Sequence, residues 1–227
     1  MEKEDIIENT NEAIKTVKDY LEKCLANNDA VYMKKANILS YWLKDYIKYI
    51  EIEKHFNPVN LKTYKRGDVI KVNLGFNIGS ELGGLHYCIV IDKKNDRNSP
   101  VLTVIPLSSK KTDKISKNSV DLGEDIYWKM INKSIQLFED SKSQIRKNDI
   151  LEFYKKITFV QQINKEIEKM KNNSIALVNQ IRVASKQRIY NPKTEFDVLS
   201  GIKLSNESLN LIDNKLKKIC IKNEYFY

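Results

Sequence analysis

Histidine is nearly absent. The 227 residues contain two, His55 and His86, so a histidine-rich metal centre cannot be assembled from this chain. Cysteine is scarce as well. Cys24, Cys88 and Cys220 are odd in number, far apart and without a CxxC spacing, which argues for reduced thiols rather than a disulfide framework or a zinc site. No apolar run approaches the roughly 20 residues of a membrane-spanning helix, and MEKEDIIENTNEAIK has acidic residues where a signal peptide would be basic and then apolar. A soluble, cytoplasmic protein is expected. HExxH, GxxxxGK[ST] and GxSxG are missing too, which removes the zinc-protease, P-loop and serine-hydrolase templates. Neither a metal nor another cofactor is expected.

Lysine is what the chain has in excess. With 39 Lys and Arg against 30 Asp and Glu, the net charge is +9 and the pI near 9.2, a balance that suits a polyanion such as RNA or DNA. Lys, Asn and Ile are enriched together, as AT-rich coding would cause by itself, and most lysines sit singly on helix faces, so charge alone does not identify a partner. The length allows one elaborated domain with an ordinary core.

Apolar residues from Lys3 to about Leu25, among them Ile7, Ile14, Val17 and Leu21, recur in steps of three and four and predict a helix. Ala26-Asn27-Asn28-Asp29 then reads as a turn, with Asn28 or Asp29 available to cap a second helix whose stripe includes Ala36, Leu39, Leu43 and Ile50. The two form an N-terminal helical hairpin extension over residues 1–60, ended by Asn57-Pro58. Residues 61–227 form the main domain. In it, Asp68 to Leu74 alternates apolar and polar residues as a half-buried strand, Tyr87 to Ile91 reads as a central strand, and Val101 to Leu107 returns after a polar turn. Ser119 to Leu122 adds a short strand. Helical stripes then predict an inserted hairpin at about 124–173, after which Ser174 to Val178 resumes as a strand running into Asn179 to Arg182. Ser205 caps a C-terminal helix.

Five of the seven glycines, Gly67, Gly75, Gly79, Gly83 and Gly84, fall between Lys65 and Ser109. Gly79-Ser80-Glu81-Leu82-Gly83-Gly84 has the composition of a phosphate-cradling loop, but a strand rather than a helix follows it, so the nucleotide-fold reading fails. The ordered set RGDVIKVNL, GSELGG, a strand ending in PLSS, and later NQIRVASKQRI resembles the PemK/MazF family, toxins of type II toxin–antitoxin modules. The resemblance covers Lys65 to about Asp121 and Ser174 to about Cys220. It implies an α+β fold built on a small twisted antiparallel β-barrel of the MazF/CcdB type, a homodimer, a cognate antitoxin and metal-independent, sequence-selective cleavage of single-stranded RNA.

Transferred position by position, the family's catalytic arginine falls on His86 and its catalytic threonine on Ser108. Serine keeps the hydroxyl donor. Histidine changes the chemistry: arginine is a permanent electrostatic clamp, whereas an imidazole titrating near about 6.5 can take and give protons. Ser80, Tyr87, Ser109, Gln180 and Arg182 are the expected RNA contacts, with Tyr87 as a stacking ring if it faces outward and Gln180 and Arg182 on one face of a strand. Glu81 and His55 are expected at the surface. Because the usual arginine is lost, a non-catalytic toxin or nucleic-acid-binding module, such as a gyrase-poison-like binder on a related fold, stands as the alternative. The two helical hairpins would cover or enlarge the RNA groove, pack at a dimer interface, restrain the toxin in cis, or serve as structural decoration.

Overall fold

The computed structural model describes residues 2–27, 29–112, 114–146 and 150–221. It divides into two compact units, Met1–Lys54 and His55–Tyr227.

The first unit is the helix pair expected from the periodicity, α1 (Lys3–Ala26) and α2 (Ala30–Glu53). A capping box starts α1, with the Glu2 N–H donating to the Asp5 carboxylate at 3.0 Å. Asp29 caps α2 by accepting the Val31 N–H at 2.6 Å; Asn28, the other expected cap, lies outside the described residues. Cys24 and Ala36 are the buried apolar residues of this unit, while Ile7, Ile14, Tyr41 and Ile47 are exposed.

The second unit is α+β. Its strands are β1 (Val69–Asn73), β2 (Leu85–Val90), β3 (Val101–Ser109), β4 (Val120–Asp121), β5 (Ser174–Ala176), β6 (Arg182–Ser185) and β7 (Ile189–Asn191), all antiparallel. The sheet runs β4-β5-β3-β2-β1-β7, with β6 also on β3. It stays open rather than closing into the expected barrel: β4 and β7 are its outer strands and do not pair with each other. Helices α3 (Asp125–Arg146) and α4 (Ile150–Met170) form the insertion, and α5 (Asn206–Cys220) begins at Ser205, whose hydroxyl accepts the Ser208 N–H at 3.1 Å.

Each sheet face carries its own core. Val69, Ile89, Ile105 and Leu107 pack with Ile126, Met130, Ile163, Ile167 and Ile212 from the three helices. On the other face Ile70, Val72, Cys88, Val90, Leu102, Val104, Ala184 and Ile189 gather with Tyr64. Strand β1 is therefore buried on both sides, not half-buried, and takes Lys71 with it. The lysine is tolerated because Glu166 of α4 lies 3.0 Å from its ammonium and the Tyr87 ring 4.9 Å away.

The stretch after Ser174 departs from the expected single strand, and Pro106 explains how. Paired antiparallel residues exchange two backbone hydrogen bonds. The Leu177 N–H donates to the Pro106 carbonyl at 3.0 Å, but proline has no N–H to return. The Leu177 carbonyl instead accepts the Gln180 N–H at 2.9 Å, which closes a 3₁₀ turn over Val178–Gln180. The chain rejoins β3 only at Arg182, opposite Val104.

Candidate functional site

The RGDV segment anchors the sheet. Gly67, at φ +88°, gives the left-handed turn into β1, and its N–H donates to the Val90 carbonyl at 2.8 Å. Arg66 bridges the Ile91 carbonyl and Asp213 of α5, and the Asp68 carboxylate accepts the Lys65 N–H at 3.0 Å. These contacts hold the start of β1 in place.

Beyond β1 the chain forms the loop that ends at Gly84. Its tightest point is Gly83, where a Cβ would lie 2.6 Å from the Gly75 carbonyl oxygen, so no larger residue fits without moving backbone. Asn77 spans the loop, donating to the carbonyls of Leu82 at 2.7 Å and Leu74 at 3.3 Å. The 3₁₀ turn opposite supplies a clamp. Gln180 accepts the Leu82 N–H at 2.7 Å and donates to the Ser80 carbonyl at 3.0 Å; Arg182 donates to the Leu82 carbonyl at 3.2 Å and to the Gln180 side chain at 3.1 Å. Loop and turn enclose a groove of about 630 Å³, lined also by Asn179 and Arg188. Arg188 donates to the Asn73 carbonyl at 2.7 Å.

His86 follows two residues after Gly84, paired with Val72. Its Nδ1 lies 3.3 Å from the Leu107 carbonyl. That contact requires the proton on Nδ1, which makes Nε2 the basic nitrogen of the neutral ring. The β2–β3 ladder includes Cys88↔Pro106, and two residues beyond that pair on each strand stand His86 and Ser108, half-buried, on the Val72 and Val104 face. Imidazole and hydroxyl thus stand on one face at adjoining strand ends, just past the last paired residues of the ladder. They do not line the groove, which they adjoin through the loop.

Two expected contacts fall elsewhere. Tyr87 points to the opposite face, where its hydroxyl donates to Glu166 and its ring packs beside the helical core, so it is not an outward stacking ring. Burial, reinforced by Glu166, raises its phenol well above the ordinary value. Burial also pushes the Glu166 carboxyl up, but hydrogen bonds from Lys169, Tyr87 and Lys71 outweigh it and hold the group below the usual range. Ser109 is exposed on the face away from Ser108. Gln180 and Arg182 share the groove, although from a turn and a strand rather than one strand. Ser80 and Glu81 are exposed in the loop, and His55 is exposed in the other direction along the chain, after α2. Asn77 and Arg188 were not singled out from the sequence. Asn77 sits within the glycine-punctuated loop between Gly75 and Gly84, and Arg188 within NQIRVASKQRI, the later segment that carried the resemblance; membership of those motifs was the signal available.

Among the described residues no helix is long and apolar enough to cross a membrane, and no three His, Cys, Asp or Glu residues cluster as metal ligands. No curated protein matches the chain. Residues 65–139, which hold β1 to β4, the glycine loop, His86 and Ser108, match the family model described as PemK-like, MazF-like toxin of type II toxin–antitoxin system.

Proposed function

We propose that the protein is a metal-independent, sequence-selective endoribonuclease toxin that cleaves single-stranded RNA in the cytoplasm, acts as a homodimer and is neutralised by a separate antitoxin. The observation that supports this reading is that His86 and Ser108 lie on one face at two adjoining strand ends beside a clamped, glycine-rich loop.

The reaction is attack of a ribose 2′-OH on the adjacent phosphorus with loss of the 5′-oxygen, leaving a 2′,3′-cyclic phosphate. His86 Nε2 takes the 2′-OH proton as base, and the imidazolium so formed supplies a proton to the departing 5′-oxygen. Ser108 donates its hydroxyl to a non-bridging phosphate oxygen as charge develops there. Gln180 and Arg182 act by holding the loop, and the Gln180–Arg188 groove receives the nucleotides next to the scissile bond.

Purified protein incubated with mixed single-stranded RNA in EDTA is expected to yield fragments with cyclic-phosphate and 5′-hydroxyl ends. His86→Ala should slow cleavage by about 10²- to 10⁴-fold, the range of one acid–base group. Ser108→Thr should stay close to wild type, and Ser108→Ala should fall about tenfold. Intact RNA at every protein concentration, with His86→Ala indistinguishable, overturns the reading. The histidine at the family's arginine position favours a second, non-catalytic reading, which co-purification with topoisomerase subunits in place of RNA cleavage would select.

A further inference from the structure

The second unit holds a larger cavity, about 840 Å³, away from His86 and Ser108. It opens at the start of β1, between residues 195–201 and the inserted helices. Asp68 lies four residues before Val72, the partner of His86, so the two places are roughly 13 Å apart along the strand.

Five lysines from three stretches line it: Lys62 and Lys65, Lys133, Lys155 and Lys156. The Lys133 ammonium donates to the carbonyls of Val198 at 2.8 Å and Ser200 at 2.7 Å; burial, then the charge of Lys62, lowers its pKa to about 8. Three carboxylates share the walls and each is answered locally. Glu195 lies 3.4 Å from Lys62 and accepts the Ser200 hydroxyl at 2.9 Å, Asp68 accepts the Lys65 N–H at 3.0 Å, and Glu152 lies 3.8 Å from Lys155. Among the described residues Lys65 and Lys156 have no carboxylate within 4.0 Å.

Phe196 lines the same cavity and is 88% exposed. A hydrogen-bonded turn holds it there: the Phe196 N–H donates to the Thr194 hydroxyl at 3.3 Å, and the Asp197 carboxylate accepts the N–H groups of Lys193 at 2.6 Å and Thr194 at 2.9 Å. Asp68 and Glu195 act on Lys65 only at longer range. A ring displayed in water beside lysines that no carboxylate contacts directly has the two elements by which single-stranded nucleic acid is held, a stacking face and phosphate-neutralising cations.

We propose that this cavity is a second binding site for single-stranded RNA, in which Lys65 and Lys156 neutralise phosphates and Phe196 stacks on a base. The proposal rests on the nuclease reading only for the identity of the polyanion. It makes the inserted helices part of the substrate path, extending the contact to nucleotides several positions from the cleaved bond.

The test uses the full chain carrying His86→Ala, so that binding is read without cleavage and the nuclease reading stands or falls in its own assay. Fluorescence anisotropy with a labelled 24-nucleotide RNA is measured across salt in EDTA. Adding Lys65→Ala with Lys156→Ala should weaken binding about tenfold and flatten the log K against log salt slope by about 1.4, the value for two single-strand phosphate contacts. Phe196→Ala should weaken binding about tenfold with the slope unchanged. Lys217→Ala with Lys218→Ala, the same charge change on the exposed end of α5, should move neither quantity as far. Equal effects of the two lysine pairs, or unchanged binding in the Phe196 variant, overturn the site. Phe196-dependent binding of a free mononucleotide with RNA affinity untouched overturns the assignment to RNA.

Discussion

Cys88 lies two residues beyond His86 on the same face of β2 but inside the core. Burial, offset only in part by the charges of Arg182 and Arg188, pushes its thiol up to about 12, so little reactive thiolate exists at neutral pH. Cys24 is buried as well and Cys220 exposed. Ellman's reagent is expected to find one fast thiol in the native protein, Cys220, and three in denaturant; a second fast thiol that persists in a Cys24→Ser variant would mean that β2 opens around Cys88. Period-two alternation also decides which neighbours of the proposed catalytic pair belong to the site. Tyr87 and Ser109 adjoin His86 and Ser108 in sequence and therefore face the other way. The alternation is visible in the sequence, although Tyr87 and Ser109 were both expected there as RNA contacts. What was not legible was the inward pull on Tyr87, because Glu166 lies 79 residues away on a helix stripe. Burial of Lys71 was hidden for the same reason.

The elements with long, clean periods could be read directly: α1 to α5, β1 to β3 and the Ser205 cap follow from spacing and capping chemistry. Strand β5 was expected too, though as part of a longer strand; β7 and the turn between β5 and β6 could not be read, since they depend on which hydrogen bonds a neighbouring strand offers. Gln180 belongs to that turn. Gln180→Ala removes the acceptor of the Leu82 N–H and is expected to cost about 1–2 kcal/mol, and hydrogen exchange should accelerate over residues 79–84 while β1 to β3 remain protected. Unchanged exchange in the loop would show that Arg182 and Asn77 suffice. Glu166 joins α4 to the sheet. Its carboxyl, held below the free-glutamate value near about 4.3, stabilises the fold fully above that pH and progressively less as pH falls through the lowered value. Glu166→Gln should therefore cost about 2 kcal/mol at pH 7, less than a fully enclosed pair because some solvent reaches the group, and much less at pH 3. Denaturant melts at the two pH values check this; an equal cost at both would remove the charge from the explanation.

At the scale of the molecule the net charge of +9 is unevenly distributed. Residues 1–54 hold nine Lys against eleven Asp and Glu, so the positive excess lies wholly in residues 55–227. That unit also contains both sheet cores and every groove discussed above. A fragment spanning His55–Tyr227 is expected to unfold in one cooperative transition and to retain the RNA affinity of the full chain; a fragment without a cooperative melt would show that α1 and α2 are needed for folding. Composition alone hid this asymmetry, because acidic and basic helices average out. The missing N–H of Pro106 acts at this scale too. The chain leaving α4 enters β5, is released from the ladder at Leu177, and is bound again only at Arg182. A shift of the inserted helices thus meets a break before it reaches Gln180 along the backbone. The break works as an expansion joint: the insertion can vary in length and packing while the groove wall keeps its place.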